Sequence, residues 1–319
     1  MALFFKWLFR IVTGLIALAV LSIYMAFYLG SRSLPDYNAT FQVDGISSPL
    51  EIARDTADVP HIFGETDADV FYGLGFAHAQ DRLFQMMLLR RTAQGKLSEV
   101  FGLRTKATDE LMRRLGVYEA AVASTSRQTP ETLAALQAYA RGVNAWIGEV
   151  NKGAMGRGAP EFFLFPAEIA YWQPQDSIAL LKLASLQLSD HISTEVLRAR
   201  TSLMLPPERV VDILPDAPGT PTAVLPEFAA LFPDAQEFVP ELDVDYAMAG
   251  FNPAPLGGAS NAWAATSARA ASGASLMAND PHLGFSAPGA WYLARIELQT
   301  GGVIGATIPG IPFIVAGRK

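Results

Sequence analysis

The sequence predicts an α+β protein that follows a membrane-spanning helix, and three patterns lead to this prediction. Residues 11–29 form an almost uninterrupted apolar run. Apolar side chains then recur at helical spacing in several stretches, of which residues 133–147 are the clearest. After residue 260, short stretches of strand-forming residues alternate with glycine turns. Helices are therefore expected in the first part of the chain and strands in the last part.

The composition argues against several classes of protein. The chain has 319 residues, half of them apolar, which is enough for a large buried core. Its formal net charge is −7 and no basic patch stands out, which argues against nucleic acid as a partner. The sequence contains no cysteine, which excludes disulfides and thiolate metal sites.

The apolar run at residues 11–29 is about long enough to cross a bilayer as a helix. Lys6 and Arg10 precede it, so the positive-inside rule leaves the N-terminus in the cytoplasm and the remaining chain outside, in the periplasm of a Gram-negative cell. A cleaved signal peptide, which would yield a secreted protein, is the alternative. Its apolar core is normally shorter, and no small-x-small motif lies just before Arg32. We expect residues 1–35 to form a cytoplasmic tip and an uncleaved anchor.

The next region, residues 36–205, is predicted to be mostly helical after a few short strands. Residues 39–43 and 50–55 are predicted strands, residues 59–64 are a third extended piece, and Asp67 is suited to cap the helix that follows. Further helices are expected in the segments 72–101, 133–147, 178–188 and 196–205.

The helix that is predicted to end at Gly102 contains a polar cluster of His78, Asp81 and Arg82. These residue types could serve acid–base catalysis. The structural interpretation is favoured, with Asp81 and Arg82 in buried ion pairs that lock helices and His78 as a hydrogen-bonded core residue.

Residues 206–259 have the composition of a linker or spacer, because proline, aspartate and glutamate are mixed with alanine and leucine and the helical patterns are short. Residues 260–319 then show a strand pattern, with predicted strands at 261–266, 275–279, 291–298 and 303–307. We expect these strands to form an antiparallel meander.

Ser260 follows a Gly-Gly-Ala turn at the start of the first of these strands. Cleavage between Ala259 and Ser260 would give the serine a free α-amino group, whose pKa of about 7.7–8.0 leaves a useful fraction neutral near pH 7. That amine could accept the proton of the serine hydroxyl through a water and make Oγ a nucleophile. The same hydroxyl could first attack the Ala259 carbonyl in an N-to-O acyl shift. Ala259 and Ser260 are therefore a candidate cleavage site.

Several stretches after Ser260 resemble, in order, the start of the β-subunit of the penicillin acylase family, which are N-terminal nucleophile (Ntn) amidohydrolases. The stretches are 260–264, 271–273, 276–284, 287–288 and 291–292, and the block 72–102 resembles the family's α-subunit. The resemblance implies the αββα four-layer Ntn core, incomplete in this chain, and an α/β heterodimer after self-processing. It also implies a small N-acyl amide substrate, of the penicillin and cephalosporin or the acyl-homoserine-lactone type.

The resemblance further assigns roles to individual residues. His282 occupies a position where family members that act on aliphatic acyl chains or acyl-homoserine lactones have histidine, and it is expected to hydrogen-bond the Ser260 amine or hydroxyl and assist proton transfer. A capped loop histidine is the alternative. A triad of Asp280, His282 and Ser260 is rejected, since residues two apart on a strand rarely stack as orienting group and base.

No cofactor is expected for the chemistry, but the resemblance implies a structural Ca²⁺ in the full-length protein, with Glu195 as one ligand. Calcium takes roughly six to eight oxygen ligands, and the remaining ones are expected beyond Lys319, as are the asparagine of the oxyanion hole and most of the acyl pocket. We therefore expect a truncated precursor. The alternative is a catalytically inert, acylase-like module for binding or assembly.

Overall fold

The structure is a computed structural model that describes most of the chain. The described residues are 1–153, 158–166, 169–187, 191–202, 204–206, 209, 210, 212, 214, 260–282 and 286–319, with side chains left undescribed at 191–196. The predicted spacer, residues 206–259, lies almost entirely outside the described residues, and so does Ala259 of the candidate cleavage site.

Helices dominate the first part of the chain and strands the last part, as the sequence predicts. The elements are α1 (Ala2–Ser33), β1 (Glu51–Arg54), β2 (Pro60–Phe63), α2 (Asp67–Ala93), α3 (Ser98–Phe101), α4 (Lys106–Leu115), α5 (Val117–Thr125), α6 (Pro130–Lys152), α7 (Glu161–Leu164), α8 (Pro174–Gln187), α9 (His191–Ser202), β3 (Asn261–Ala265), β4 (Leu276–Asp280), β5 (Tyr292–Leu298), β6 (Gly301–Thr307) and β7 (Ala316–Arg318). The mixed α+β character is therefore confirmed.

Strands from both parts of the chain build one five-stranded sheet with the order β1-β2-β5-β6-β7. Its centre is β5, which pairs in parallel with β2 and antiparallel with β6. Tyr292, Ala294 and Ile296 alternate along β5 and are buried in the main core together with apolar side chains of α2 and α6. The sheet thus joins residues 51–63 to residues 292–318.

The expected antiparallel meander is only partly correct. The strands β5, β6 and β7 do form one, but β3 and β4 pair with each other in a separate two-stranded sheet. Residues of β3 and β4 are exposed except for half-buried Ala265, and the large apolar side chains of Trp263, Leu276 and Met277 are among the exposed ones. By contrast, β5 has a continuous apolar face, and this face packs against apolar side chains of α2 and α6 in the main core.

Two local predictions are wrong. Residues 39–43 do not form a strand, because Phe41 packs its ring against Phe76 and Trp146 on the helices instead of lying along a sheet edge. The N-cap of α2 is Thr66 rather than Asp67: the Thr66 hydroxyl accepts a hydrogen bond from the Asp69 backbone N–H at 3.1 Å.

The helices α2 and α6 form the centre of the helical layer, and their axes approach closely at two glycines. A side-chain carbon at Gly75 would overlap the carbonyl of Tyr139, and one at Gly142 would overlap the carbonyl of Tyr72. The helix α2 is also kinked at Arg82, which has φ −137° and ψ 23°. The kink lies beside the polar cluster that connects α2 to the sheet.

Candidate functional site

Ser260 is exposed immediately before β3, at the open end of the β3–β4 hairpin. Because Asn261 pairs with Asp280, the residues after β4 return to the serine. The backbone N–H of His282 donates a hydrogen bond to Ser260 Oγ at 3.2 Å. The hairpin register thus brings together the two residues that the sequence analysis selected, which are 22 positions apart in the chain.

The contact between these residues is made by the His282 backbone, while its imidazole lies toward Asp280. The distance from His282 Nδ1 to Asp280 Oδ2 is 3.6 Å, and both side chains are about half exposed. This separation is too long for a hydrogen bond. The approach of His282 to Asp280 was not predicted from their spacing, and the described contacts do not include an imidazole hydrogen bond to Ser260 Oγ. The role of the imidazole stays a prediction.

Glu195 lies in α9, in the stretch whose side chains are not described, so the structure gives no geometry for the expected calcium ligand. Among the described residues, histidine, aspartate and glutamate do not form a group of three or more that could hold a metal ion.

Asp81, at the kink of α2, connects three segments of the chain. Arg54 of β1 forms a salt bridge with it at 2.9 Å, and the hydroxyls of Tyr37 and Tyr292 donate hydrogen bonds at 3.0 and 2.6 Å. Burial raises the pKa of Tyr292 well above its usual value, and the nearby Asp81 carboxylate acts in the same direction. The predicted ion pair of Asp81 is present, but it connects α2 to β1 rather than to another helix, and the Tyr292 hydrogen bond connects α2 to β5.

Arg82 makes a different contact from the predicted ion pair. Its guanidinium donates to the Gly289 carbonyl at 3.4 Å, and the amide of Gln85 donates to the same oxygen at 3.1 Å. Gly289 lies shortly before β5, so Arg82 fastens the entry of that strand to α2. The ion-pair prediction for Arg82 is wrong because its nearest described acceptors are the Gly289 carbonyl and the Gln85 side chain.

His78 is fully buried, as the core interpretation predicts. Its Nδ1 lies 2.8 Å from the Tyr139 hydroxyl, which accepts a hydrogen bond from the Gly310 backbone N–H at 2.8 Å. A phenolic oxygen can accept two hydrogen bonds, so either His78 Nδ1 or the Tyr139 hydroxyl supplies the proton of this contact. Among the described residues, His78 Nε2 has no hydrogen-bond partner. Burial lowers the pKa of His78 to about 3, and Arg82 adds to the shift.

Three residues that complete this junction were not predicted from the sequence. Tyr37, Arg54 and Tyr292 converge on Asp81 from positions that are 27 to 211 residues distant in the chain. The pattern did contain one indication, because Tyr292 is the first residue of a strand with a buried face, where a phenol needs a hydrogen-bond partner. Its partner could not be read from the sequence.

Comparison with known proteins defines the class of protein. The penicillin amidase family profile matches residues 49–319. "Penicillin acylase 2 proenzyme" of Pseudomonas sp. (strain SE83) is 33% identical over 292 residues, which is 88% of this chain and 36% of the relative. "Acyl-homoserine lactone acylase QuiP" of Pseudomonas aeruginosa is 30% identical over 295 residues, which is 89% of this chain and 34% of the relative. The chain therefore belongs to the penicillin amidase family.

The chain spans about a third of the length of these curated relatives. A solved structure of a thermostable penicillin G acylase from Alcaligenes faecalis overlaps 56% of this chain and 98% of the matched chain. The TM-score is 0.44 and the sequence identity is 23%.

Proposed function

We propose that this chain carries the nucleophile of an amidohydrolase that cleaves itself before Ser260 and then hydrolyses N-acyl amides. The observation that carries the proposal is the exposed Ser260, immediately before a paired strand, with its Oγ receiving the backbone N–H of His282. A hydrogen bond from an N–H group favours the negatively charged form of the oxygen that accepts it. The word "proenzyme" in the name of one relative agrees with a cleavage step.

In the proposed self-cleavage, Ser260 Oγ attacks the Ala259 carbonyl carbon, and the bond from that carbon to the Ser260 nitrogen breaks. The nitrogen takes up the serine proton and becomes a free amine, while the upstream chain is held as an ester on Oγ. Water then hydrolyses the ester. The products are a segment that begins with Ser260 and a segment that ends with Ala259.

In the proposed turnover, the Ser260 amine accepts the hydroxyl proton through a water while Oγ attacks the substrate amide carbon. The C–N bond breaks, the leaving amine takes the proton, and the acyl group remains on Oγ until water hydrolyses it. His282 would orient the serine and assist proton transfer.

The substrate proposal stays at the level of an N-acyl amide. Relatives named for penicillin and for acyl-homoserine lactone are 33% and 30% identical to this chain, which does not separate the two types. The histidine at position 282 favours aliphatic acyl groups, since the family resemblance associates histidine with them. Hydrolysis of a series of N-acyl nitroanilides that differ in acyl length, by the full-length protein, would distinguish the types.

Self-cleavage is tested by the intact mass of the purified chain. We expect the parent to yield a segment with the N-terminal sequence Ser260-Asn261-Ala262, and Ser260→Ala to stay uncleaved. Ser272→Ala is the matched control, because this exposed serine lies in the turn of the same hairpin. The proposal is contradicted if the parent chain stays intact, or if the Ser260→Ala chain is cut at the same bond. The inert module for binding or assembly would then be the remaining interpretation.

We also propose that α1 anchors the protein in a membrane, with the acylase part outside the cytoplasm. This helix contains an 18-residue window of mean hydropathy 2.2 that is not buried by the protein, although signal sequences share these properties. Calcium remains a structural proposal that rests on Glu195 alone, and no step of the proposed chemistry uses it. An α/β heterodimer would result from cleavage, since the two segments share the five-stranded sheet.

A further inference from the structure

The end of α1 meets the folded part of the protein without a free linker. Every described residue from 2 to 27 is exposed, whereas residues 28–30 are half-buried and Ser33 is only 6% exposed. The helix continues to Ser33, and only residues 34–36 separate it from the first residue that is held by side-chain contacts to α2 and β1.

That residue is Tyr37. Its hydroxyl donates to Asp81 at 3.0 Å, and the Arg54 guanidinium carbon lies 3.8 Å from the centre of its ring. Both partners are themselves fixed by their mutual salt bridge, with side chains only 9% and 11% exposed. A cation stacked on a phenol ring and a charge-assisted hydrogen bond together give Tyr37 two independent attachments to the same rigid pair.

The residues that follow Tyr37 are also held by contacts to the helices. We name residues 37–47 the strap. Its further attachments are the Phe41 ring against Phe76 and Trp146 at 5.3 and 5.9 Å, the Tyr72 hydroxyl on the Asp44 carbonyl at 3.2 Å, Arg141 on the Gly45 carbonyl at 3.4 Å, and the Ser47 backbone N–H on Asp69 at 2.8 Å. These partners all belong to α2 and α6, so the strap is held along its length although it contains no regular secondary structure.

The rise of the helix and the length of the chain after it limit how far Tyr37 can lie from the bilayer. If the apolar run ends at Leu29, the four residues to Ser33 add about 6 Å of helix. The steps from Ser33 to Tyr37 span at most about 14 Å. Tyr37 therefore lies within about 20 Å of the hydrocarbon edge. The headgroup layer occupies roughly 5–7 Å of this distance, which leaves a gap of at most about 15 Å between the headgroups and Tyr37. A domain of about 230 residues, the sum of 36–205 and 260–319, has a radius of gyration of ~17 Å, comparable with the remaining gap.

We infer that the strap holds the acylase part directly against the outer surface of the bilayer, with the loop 55–58 on the membrane-facing side. This loop is next to the attachment, because Arg54 also donates to the Asp58 carbonyl at 3.0 Å. The inference rests on the proposal that α1 spans the membrane, and it is independent of the proposed catalysis.

The absence of cysteine from the sequence makes a direct test possible. A fluorophore is attached to Ala57→Cys, an exposed position in the loop, and the full chain is reconstituted in phosphatidylcholine vesicles whose headgroups carry a nitroxide quencher. Ser260→Ala is included in every variant, so that the result does not depend on self-cleavage. A second variant receives a 20-residue Gly/Ser insertion between Leu34 and Pro35, which adds a root-mean-square reach of about 25 Å.

We expect strong quenching in the parent and a loss of about half or more after the insertion, because the added reach exceeds the present gap. Tyr37→Ala should lower the quenching to a smaller extent, since Phe41 still holds the strap, and the exposed Tyr171→Ala should not change it. Weak quenching in the parent, equal quenching after the insertion, or an acylase part that is recovered in the aqueous fraction without α1 would each overturn the inference. Failure of self-cleavage in the Ser260 experiment would leave it intact.

Discussion

The close crossing of α2 and α6 predicts that a side chain at Gly142 lowers the stability of the protein. Gly142 of α6 lies against the backbone of α2, and a side-chain carbon at this position would overlap the Tyr72 carbonyl oxygen. It would also lie 2.8 Å from the Tyr72 carbonyl carbon and 3.0 Å from the Phe76 nitrogen. All three are backbone atoms, so no rotation of a flexible side chain relieves the overlap. Gly142→Ala therefore forces the two helices apart.

The expected cost follows from overpacking in a core. An extra methyl group that shifts packed backbone typically costs about 1–3 kcal/mol, and it outweighs the gain of about 0.4–1 kcal/mol from replacing a flexible glycine. Gly148 lies in the same helix, and a side-chain carbon there would have no neighbour within 4 Å. Gly148→Ala should consequently stabilise the protein by about 0.5–1 kcal/mol.

Thermal unfolding, followed by circular dichroism in detergent, measures both variants against the parent. At about 2–4 °C per kcal/mol for a domain of 150–250 residues, Gly142→Ala should lower Tm by roughly 2–12 °C and Gly148→Ala should raise it by about 1–4 °C. A Gly142→Ala protein that is as stable as Gly148→Ala would refute the close approach of the two helices.

Three further predictions concern the buried polar groups and the metal. Tyr292→Phe removes a hydrogen bond to the Asp81 carboxylate and should lower the free energy of unfolding by about 1.5–3 kcal/mol in urea titrations, whereas the exposed Tyr171→Phe should change it little. Because the pKa of His78 is lowered to about 3 in the fold, the unfolded chain binds a proton below about pH 6.5 that the folded chain does not, so stability falls as the pH falls. Between pH 7 and 4.5 this histidine should account for about 3 kcal/mol of lost stability, which His78→Gln should lack; equal slopes for the two proteins would show that His78 does not carry the effect. If Glu195 binds structural calcium in the full-length protein, a chelator should lower Tm of the parent but not of Glu195→Gln, while Glu119→Gln should respond like the parent.

Much of the architecture could be predicted because it depends on local patterns. The helix of residues 133–147 and the strand of residues 303–307 were predicted from periodicity and lie within α6 and β6, and the predicted strand 291–298 exceeds β5 by one residue. The strand prediction for residues 39–43 failed for a physical reason. Alternation along a chain shows that one face is buried, but it does not show whether a sheet or a pair of helices covers that face.

The candidate site likewise has a part that could be predicted from the sequence and a part that depends on the tertiary structure. Ser260 and His282 were selected from residue type and family resemblance, and the hairpin register brings them into contact. That the contact uses the His282 backbone, and that the imidazole lies toward Asp280, depends on rotamers and on the return of the chain after β4. Neither is encoded in spacing, and the catalytic roles of both residues stay predictions.

By itself, the sequence determined the apolar N-terminal helix, the change from helices to strands along the chain, the family and the choice of Ser260. These properties follow from composition, periodicity and short motifs, which are local. Only the tertiary structure decided that Asp81 joins Tyr37, Arg54 and Tyr292, and that the segment after α1 is fastened to α2 and α6. Such junctions arise from the packing of segments that are distant in the chain, because burial of a charged or phenolic group requires a partner but does not specify which one.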